Sequence, residues 1–320
     1  MKTYLMDNLN TGANSLRKLG QNFCCNGVFI LLCLSLLGCV KKEAGSVSIQ
    51  TKGSDTEVNL VQRLSEVFMK KNPDVSIAVT GGGSGTGIAA LINKQTDIAN
   101  SSRAMKDEEI RQAKDNGVEP VAIIFATDGL ALITNQSLPV ESLTLEKVAK
   151  IFKGEINNWK EIGGLDLQIS LYGRQSNSGT YVFFRAAVVK GDYSQKMKMM
   201  NGTAQIVEAV KQDRAGIGYV GIGYVVDDQG KVISGINVLK ITKAVDSPPV
   251  SPLNPENVKT GLYPISRPLY QYTNGIPRGK IKEFIQFELS PEGQNIISLE
   301  GYYPVTLEHM EANRRLGIIK

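Results

Sequence analysis

Three short stretches of the chain combine hydroxyls, glycine and the start of a helical pattern: Gly53-Ser54-Asp55-Thr56, Gly83-Ser84-Gly85-Thr86 and Ser178-Gly179-Thr180, the last preceded by Arg174. Hydroxyls donate hydrogen bonds, glycine lets backbone N–H groups come close, and the first N–H groups of a helix have no partner within it. Such a turn is suited to a small oxyanion, helped by the positive end of the helix dipole. Arg174 can add one bidentate salt link. Any one turn reads equally well as an ordinary Ser/Thr cap beside a surface arginine. Three converging turns would hold an anion with little formal positive charge.

The surrounding elements bear on that convergence. Alternating apolar residues predict strands at 47–51, 75–79 and 167–172, and each leads into one of the three turns. Helices are expected from the first turn to about 71, with Val58, Leu60, Val61, Leu64, Val67 and Phe68 as the apolar face, and at 88–94 and 181–189. Further along, a short buried strand at 97–103 ends in Ser101-Ser102-Arg103, and helices are expected at 106–116, 145–152, 203–212 and 280–289. Strands are also expected at 216–226 and 265–272. Strand alternating with helix at this spacing indicates mostly parallel sheets with flanking helices, and in such sheets ligands sit at the carboxyl ends of the strands. Two apolar runs at 121–126 and 129–134, broken by Thr127-Asp128, read as a crossing between domains, with a return near 237–241.

Catalytic readings find little support. The chain has one histidine, His309, in a charged helical stretch, so a Ser–His pair or a histidine-rich metal site would have to be built on it alone. The 81–87 loop lacks the Gly-Lys-Ser/Thr ending of a nucleotide P-loop, and position 86 is threonine where a G-x-S-x-G elbow needs glycine. Gly216-Ile217-Gly218-Tyr219-Val220-Gly221 matches G-x-G-x-x-G, but a strand-like run follows it where a helix is required. No metal site or cofactor is expected. Lys and Arg (36) only slightly exceed Asp and Glu (31) and are spread along the 320 residues, which argues against a nucleic-acid surface.

The N-terminus is of another kind. Arg17 and Lys18 precede a short apolar run at 27–37, the pattern of a secretory signal. Leu36-Leu37-Gly38-Cys39 resembles the bacterial lipobox, whose cysteine is lipidated and becomes the first mature residue. A plain signal peptide with an incidental cysteine, or a true start at Met6, stays open. All four cysteines lie within the first 39 positions, so the rest of the chain has no disulfide or thiolate site. The expected organisation is a lipoprotein signal peptide (1–38), a tether (39–46), lobe I (47–126 plus 238–320) and lobe II (127–237).

From about residue 47 to 304 the chain resembles the phosphate-binding proteins of bacterial ABC importers, which have the type II periplasmic-binding-protein fold. The blocks that carry the resemblance are Gly53 to Thr56, the 81–87 loop, 97–103, Arg174-Gln175-Ser176-Asn177-Ser178-Gly179-Thr180, Gly216-Ile217-Gly218-Tyr219 and Tyr263-Pro264-Ile265-Ser266-Arg267-Pro268-Leu269. The resemblance implies a two-lobe α/β protein with a hinge, a monomer that captures inorganic phosphate without turnover and presents it to a membrane permease, held to the membrane through Cys39. Carried over by position, it implies phosphate ligands at Ser84, Arg174, Ser178, Gly179 and Thr180; the first turn maps onto Asp55 and the backbone of Thr56, where the best-known members place a threonine side chain and the next N–H, and Ser54 is expected to contribute beside them. At Ser102 the best-known members have an aspartate that accepts the proton of bound phosphate; here Ser102 is followed by Arg103. Asp55 is therefore expected to supply the missing acceptor, with Arg103 paired to it or to the anion, unless Asp55 only caps its helix. Hinges are expected near 125–127 and 237–241. Sulfate or molybdate binding, a phosphate sensor or adhesin, and a phosphate-ester hydrolase are the alternatives.

Overall fold

The computed structural model describes residues 46–319, positions 228 and 245 excepted. The expected signal peptide, Cys39 and the tether up to residue 45 lie outside the described residues. The first part of the described chain runs β1 (Val47–Gly53), α1 (Val58–Lys71), β2 (Val75–Thr80), α2 (Ser84–Ile92), β3 (Ile98–Ser101), α3 (Asp107–Asp115) and β4 (Pro120–Gly129). It continues with β5 (Ala131–Asn135), β6 (Ser142–Thr144), α4 (Leu145–Lys153), β7 (Ser170–Arg174), α5 (Gly179–Phe184), β8 (Lys198–Met200), α6 (Thr203–Gln212), β9 (Gly216–Val220), β10 (Ile236–Val238) and β11 (Lys240–Thr242). The last part is α7 (Pro255–Lys259), β12 (Ser266–Asn274), α8 (Gly279–Glu288), α9 (Pro291–Leu299) and α10 (Leu307–Arg315).

Two five-stranded sheets organise these elements, in the orders β2-β1-β3-β12-β4 and β10-β5-β9-β7-β8. Each is parallel apart from one reversed strand: β12 runs against β3 and β4, and β5 runs against β9 and β10. The elements around the first sheet are called lobe I here and those around the second, lobe II. A small parallel pair, β6 with β11, accompanies the second sheet.

Local chemistry explains the elements that matter for the site. Helix α1 buries Leu60, Val61, Leu64 and Phe68, spaced to lie on one face, and ends in Lys70 and Lys71, whose charge suits a helix C-terminus. Helix α2 lies so close to β1 that a Cβ on Gly87 would stand 2.3 Å from the Lys52 carbonyl oxygen, so only glycine fits. In lobe II, α4 starts on Thr144, whose hydroxyl accepts the Lys147 N–H, and stops at Gly154 in the left-handed region.

The structure departs from the sequence expectations at several points. Strand β4 pairs with β12 as far as Gly129 and β5 joins the second sheet at Ala131, so the change of sheet falls at Leu130 and not at 126–127. Residues 237–241 fall in β10 and β11, joined by Leu239, and the chain rejoins the first sheet only at β12, after the 243–265 stretch. Both crossings meet: Leu130 N–H donates to Ile265 O (2.8 Å), and Tyr263 Oη donates to Leu130 O (2.7 Å). Strand β9 ends at Val220, and after Gly221, still extended, the chain forms a single 3-10 turn at Ile222–Tyr224. The helix expected at 280–289 is α8, and two more helices, α9 and α10, follow it. Helix 181–189 is α5 continued as a π-helical stretch, Arg185–Val189.

Candidate functional site

The carboxyl ends of β1, β2 and β3 form one wall of a polar cluster. Beyond β1, Ser54 N–H donates to Asn100 O (2.9 Å). Two tyrosines then orient the next peptides: Tyr224 Oη donates to Asp55 O (2.5 Å), and Tyr302 Oη donates to Thr56 O. At the start of α2, Ser84 Oγ accepts the Ser102 N–H (3.1 Å) and lies 3.3 Å from Ser102 Oγ. Both serines are buried.

The facing wall comes from β7, α5 and β9. Strand β7 continues through Arg174, so this residue is the rigid end of a strand and not part of a loop. Its backbone N–H donates to Tyr219 Oη (3.2 Å). Tyr219 stacks on Phe184, with ring centroids 4.2 Å apart, and burial pushes its phenol up to about 12, so the hydroxyl stays neutral. The Arg174 guanidinium, almost fully buried, donates to Met200 O (3.3 Å), Thr203 Oγ1 (3.0 Å), Asn201 O (2.9 Å) and Asp55 Oδ2 (2.5 Å). Ser178 caps α5, its Oγ accepting from the N–H groups of Thr180 (3.2 Å) and Tyr181 (3.4 Å). A Cβ on Gly179 would lie 2.3 Å from Ser84 Oγ and 2.7 Å from Ser102 Oγ, so the α5 N-terminus sits directly against the lobe I hydroxyls only because residue 179 is glycine.

The two walls touch. Thr56 Oγ1 and Thr180 Oγ1 are 2.9 Å apart and buried. Gly85 N–H donates to Asn177 O (2.9 Å), and Asn177 Nδ2 donates to Gly82 O (2.9 Å). Behind the threonines lies a second guanidinium. Arg267, on β12, donates to Asp128 Oδ2 from Nε (3.1 Å) and Nη2 (2.8 Å), to Ser102 O from Nη1 (3.0 Å), and to Thr180 Oγ1 from Nη2 (3.0 Å). Asp128 Oδ1 also accepts the Ile222 N–H of lobe II (3.0 Å). Two cations and two carboxylates thus balance formally, leaving hydroxyls and a helix N-terminus as the groups that would meet an anion.

Of the residues expected from sequence, Asp55, Thr56, Ser84, Ser102, Arg174, Ser178, Gly179 and Thr180 are brought into this one cluster. Asp55 does not cap α1: its carboxylate accepts the Gly82 N–H (2.9 Å) and binds Arg174 across the lobes. Ser54 is buried beside Glu57, behind the turn. Arg103 is a correction. It does not pair with Asp55; its guanidinium makes a two-point fork to Glu109 (2.7 and 2.6 Å), a partner in the first turn of α3. Asp128 and Arg267 were not among the expected site residues. Their signal was a charge of each sign inside an otherwise apolar strand run, Asp128 after 121–126 and Arg267 within 265–272. His309 lies on α10, away from the cluster, where burial lowers its pKa. Among the described residues no group of His, Cys, Asp and Glu is arranged to hold a metal ion, and no helix is long and apolar enough to cross a membrane.

Two mixed sheets with a cluster of hydrogen-bond donors where their facing carboxyl edges meet define a two-lobed α/β solute-receptor architecture. A family model described as PBP superfamily domain matches residues 40–292. The phosphate-binding protein PstS of Pseudomonas aeruginosa is 31% identical over 297 residues, covering 87% of this chain and 90% of that protein. PstS of Bacillus subtilis is 31% identical over 268 residues, covering 83% of each. Among solved structures, a putative phosphate ABC transporter substrate-binding protein with bound phosphate from Clostridium perfringens superposes with a TM-score of 0.72 at 32% identity, covering 81% of this chain and all of that one. The chain belongs to the PBP superfamily and, within it, to the family of PstS-like phosphate-binding proteins.

Proposed function

We propose that the protein captures inorganic phosphate between its two lobes and delivers it, without chemical turnover, to the membrane permease of an ABC importer. The carrying observation is the buried meeting of Thr56, Ser84 and Ser102 with the α5 N-terminus and Thr180, beside Arg174. Ser54, Asp55, Thr56, Ser84, Ser102, Arg174, Ser178, Gly179 and Thr180 form the proposed binding set, to which we add Arg267. Lobe I comprises the elements of the first sheet and lobe II those of the second, with the hinge at Leu130 and in 243–265. The protein acts as a monomer outside the cytoplasm, anchored by a lipid on Cys39.

The relatives' names and the phosphate in the Clostridium perfringens structure support phosphate over other oxyanions. Asp55 is proposed as the acceptor of the phosphate proton. Its oxygens accept from Gly82 and Arg174 and each retains a second lone pair. A carboxylate acceptor favours monohydrogen phosphate and repels sulfate, which has no proton to donate.

Calorimetric titration of the ligand-stripped protein with phosphate and then sulfate, at pH 5 and pH 8, tests this reading. Phosphate binding tighter than about 10 μM, roughly −7 kcal/mol, with sulfate silent is expected. Binding of neither anion would overturn it; equal binding of both would leave an oxyanion receptor and remove Asp55 as the proton acceptor.

A further inference from the structure

Glu57 directly follows Thr56 and stands at the start of α1 with its side chain fully buried. Among the described residues it is the one whose two carboxyl oxygens are both buried and make no close hydrogen bond, with the Ser54 side chain lying beside them. The groups around it come from every neighbouring element: Ser54 from the turn after β1, Asp128 from β4, Arg267 from β12, Glu288 from α8, Tyr224 from the 3-10 turn of lobe II, and Tyr302 from the segment after α9. The one cation in this set, Arg267, already gives two N–H bonds to Asp128. A second carboxylate here would be uncompensated, so the environment holds Glu57 as the neutral acid. Burial, with Asp128 and Glu288 adding to it, raises its pKa well above the usual carboxylate range, and Ser54 and Arg267 offset only part of this.

We propose that Glu57 is a positioning residue that sets the charge of the anion site, its proton keeping the Asp128–Arg267 pair balanced behind Thr56 and Thr180. The inference rests on the phosphate reading of that site. When Glu57 gives its proton to solvent, at a pH above the usual carboxylate range, the carboxylate stands one residue from Thr56 and opposes the bound oxyanion. Conversely, anion binding at alkaline pH draws one proton from solvent onto the Glu57 carboxylate. The two events are one linkage.

The test is the phosphate dissociation constant of the wild type and of Glu57→Gln at half-unit steps from pH 6 to pH 10. The second ionisation of phosphate is common to both proteins, so their ratio isolates Glu57. Wild-type affinity is expected to fall relative to the variant by about tenfold or more across that range, whatever the variant's absolute affinity. Calorimetry at pH 9 in two buffers of different ionisation enthalpy should show proton uptake on binding by the wild type that exceeds the variant's. A ratio constant from pH 6 to pH 10, with equal proton uptake, overturns the role of Glu57. Failure of the wild type to bind phosphate at any pH overturns the phosphate reading instead. A melting curve of Glu57→Gln at pH 7 establishes that it is folded, and a variant that does not fold leaves the wild-type proton uptake to decide.

Discussion

The cluster contains two buried arginine–aspartate pairs of different origin. Asp128 and Arg267 are direct cross-strand partners in the β4–β12 register, both in lobe I, with 0% and 2% of their side chains exposed. Arg174 and Asp55 belong to different lobes, and Asp55 retains 17% exposure against 1% for Arg174. Sheet formation makes the first pair; only the meeting of the lobes makes the second. The first therefore acts as an anchor, holding the carbonyl of Ser102 and the hydroxyl of Thr180 on one guanidinium. The second is a contact that the proposed opening of the cleft would break.

The largest expected effect comes from the anchor. Asp128→Ala leaves Arg267 charged and buried without its carboxylate, and removing one partner of such a pair costs about 3–5 kcal/mol. Urea unfolding measures it; a loss under about 1 kcal/mol would mean that Arg267 finds another partner and the pair is no anchor. The inter-lobe pair should behave differently. Asp55→Asn is expected to cost less unfolding free energy than loss of the anchor, since Asp55 keeps 17% exposure and Arg174 retains its bonds to Met200 O, Asn201 O and Thr203 Oγ1, yet to narrow the phosphate-to-sulfate preference by about tenfold, or about 1.4 kcal/mol. An unchanged preference in competition titrations would remove Asp55 from anion selection.

A graded effect, spread over several pH units, concerns the uncharged acids behind the anchor. Burial raises the pKa of Glu57 and Glu288 well above the ordinary 4.5. An acid that holds its proton more tightly when folded stabilises the fold fully below its unfolded pKa, and this contribution is lost as pH rises toward the folded pKa. Stability should therefore decline above about pH 4.5, by up to about 1.4 kcal/mol per pH unit for each acid. Glu288→Gln, at a position where Gln271 Nε2 already donates to Glu288 (3.0 Å), should make that decline shallower between pH 5 and pH 8. An equal slope in urea unfolding at several pH values would show that Glu288 is ionised in the fold.

Much of this arrangement was legible locally. The alternation of 47–51 and 75–79 and the Gly/Ser/Thr turns after them correspond to β1, β2 and the starts of α1 and α2, within a few residues. Apolar periodicity and turn chemistry are properties of neighbouring residues, so they survive in the sequence. The ends of elements were less legible. The strand expected to 226 stops at Val220, and the expected loop residue Arg174 completes β7 by pairing with Met200 of β8, a partner 26 positions away.

The sequence by itself determined the α/β alternation, the carboxyl-edge position of the three hydroxyl turns and the presence of Arg174 before the third. Which charges pair was decided only in three dimensions. Arg103 lies one residue from Ser102, yet Glu109 takes it; Arg267 lies 139 positions from Asp128, yet strand register sets them face to face. The physical reason is that periodicity selects which face of an element is buried. The identity of a buried charge's partner depends on which strands become neighbours and on their register, and that is fixed by packing over the whole sheet.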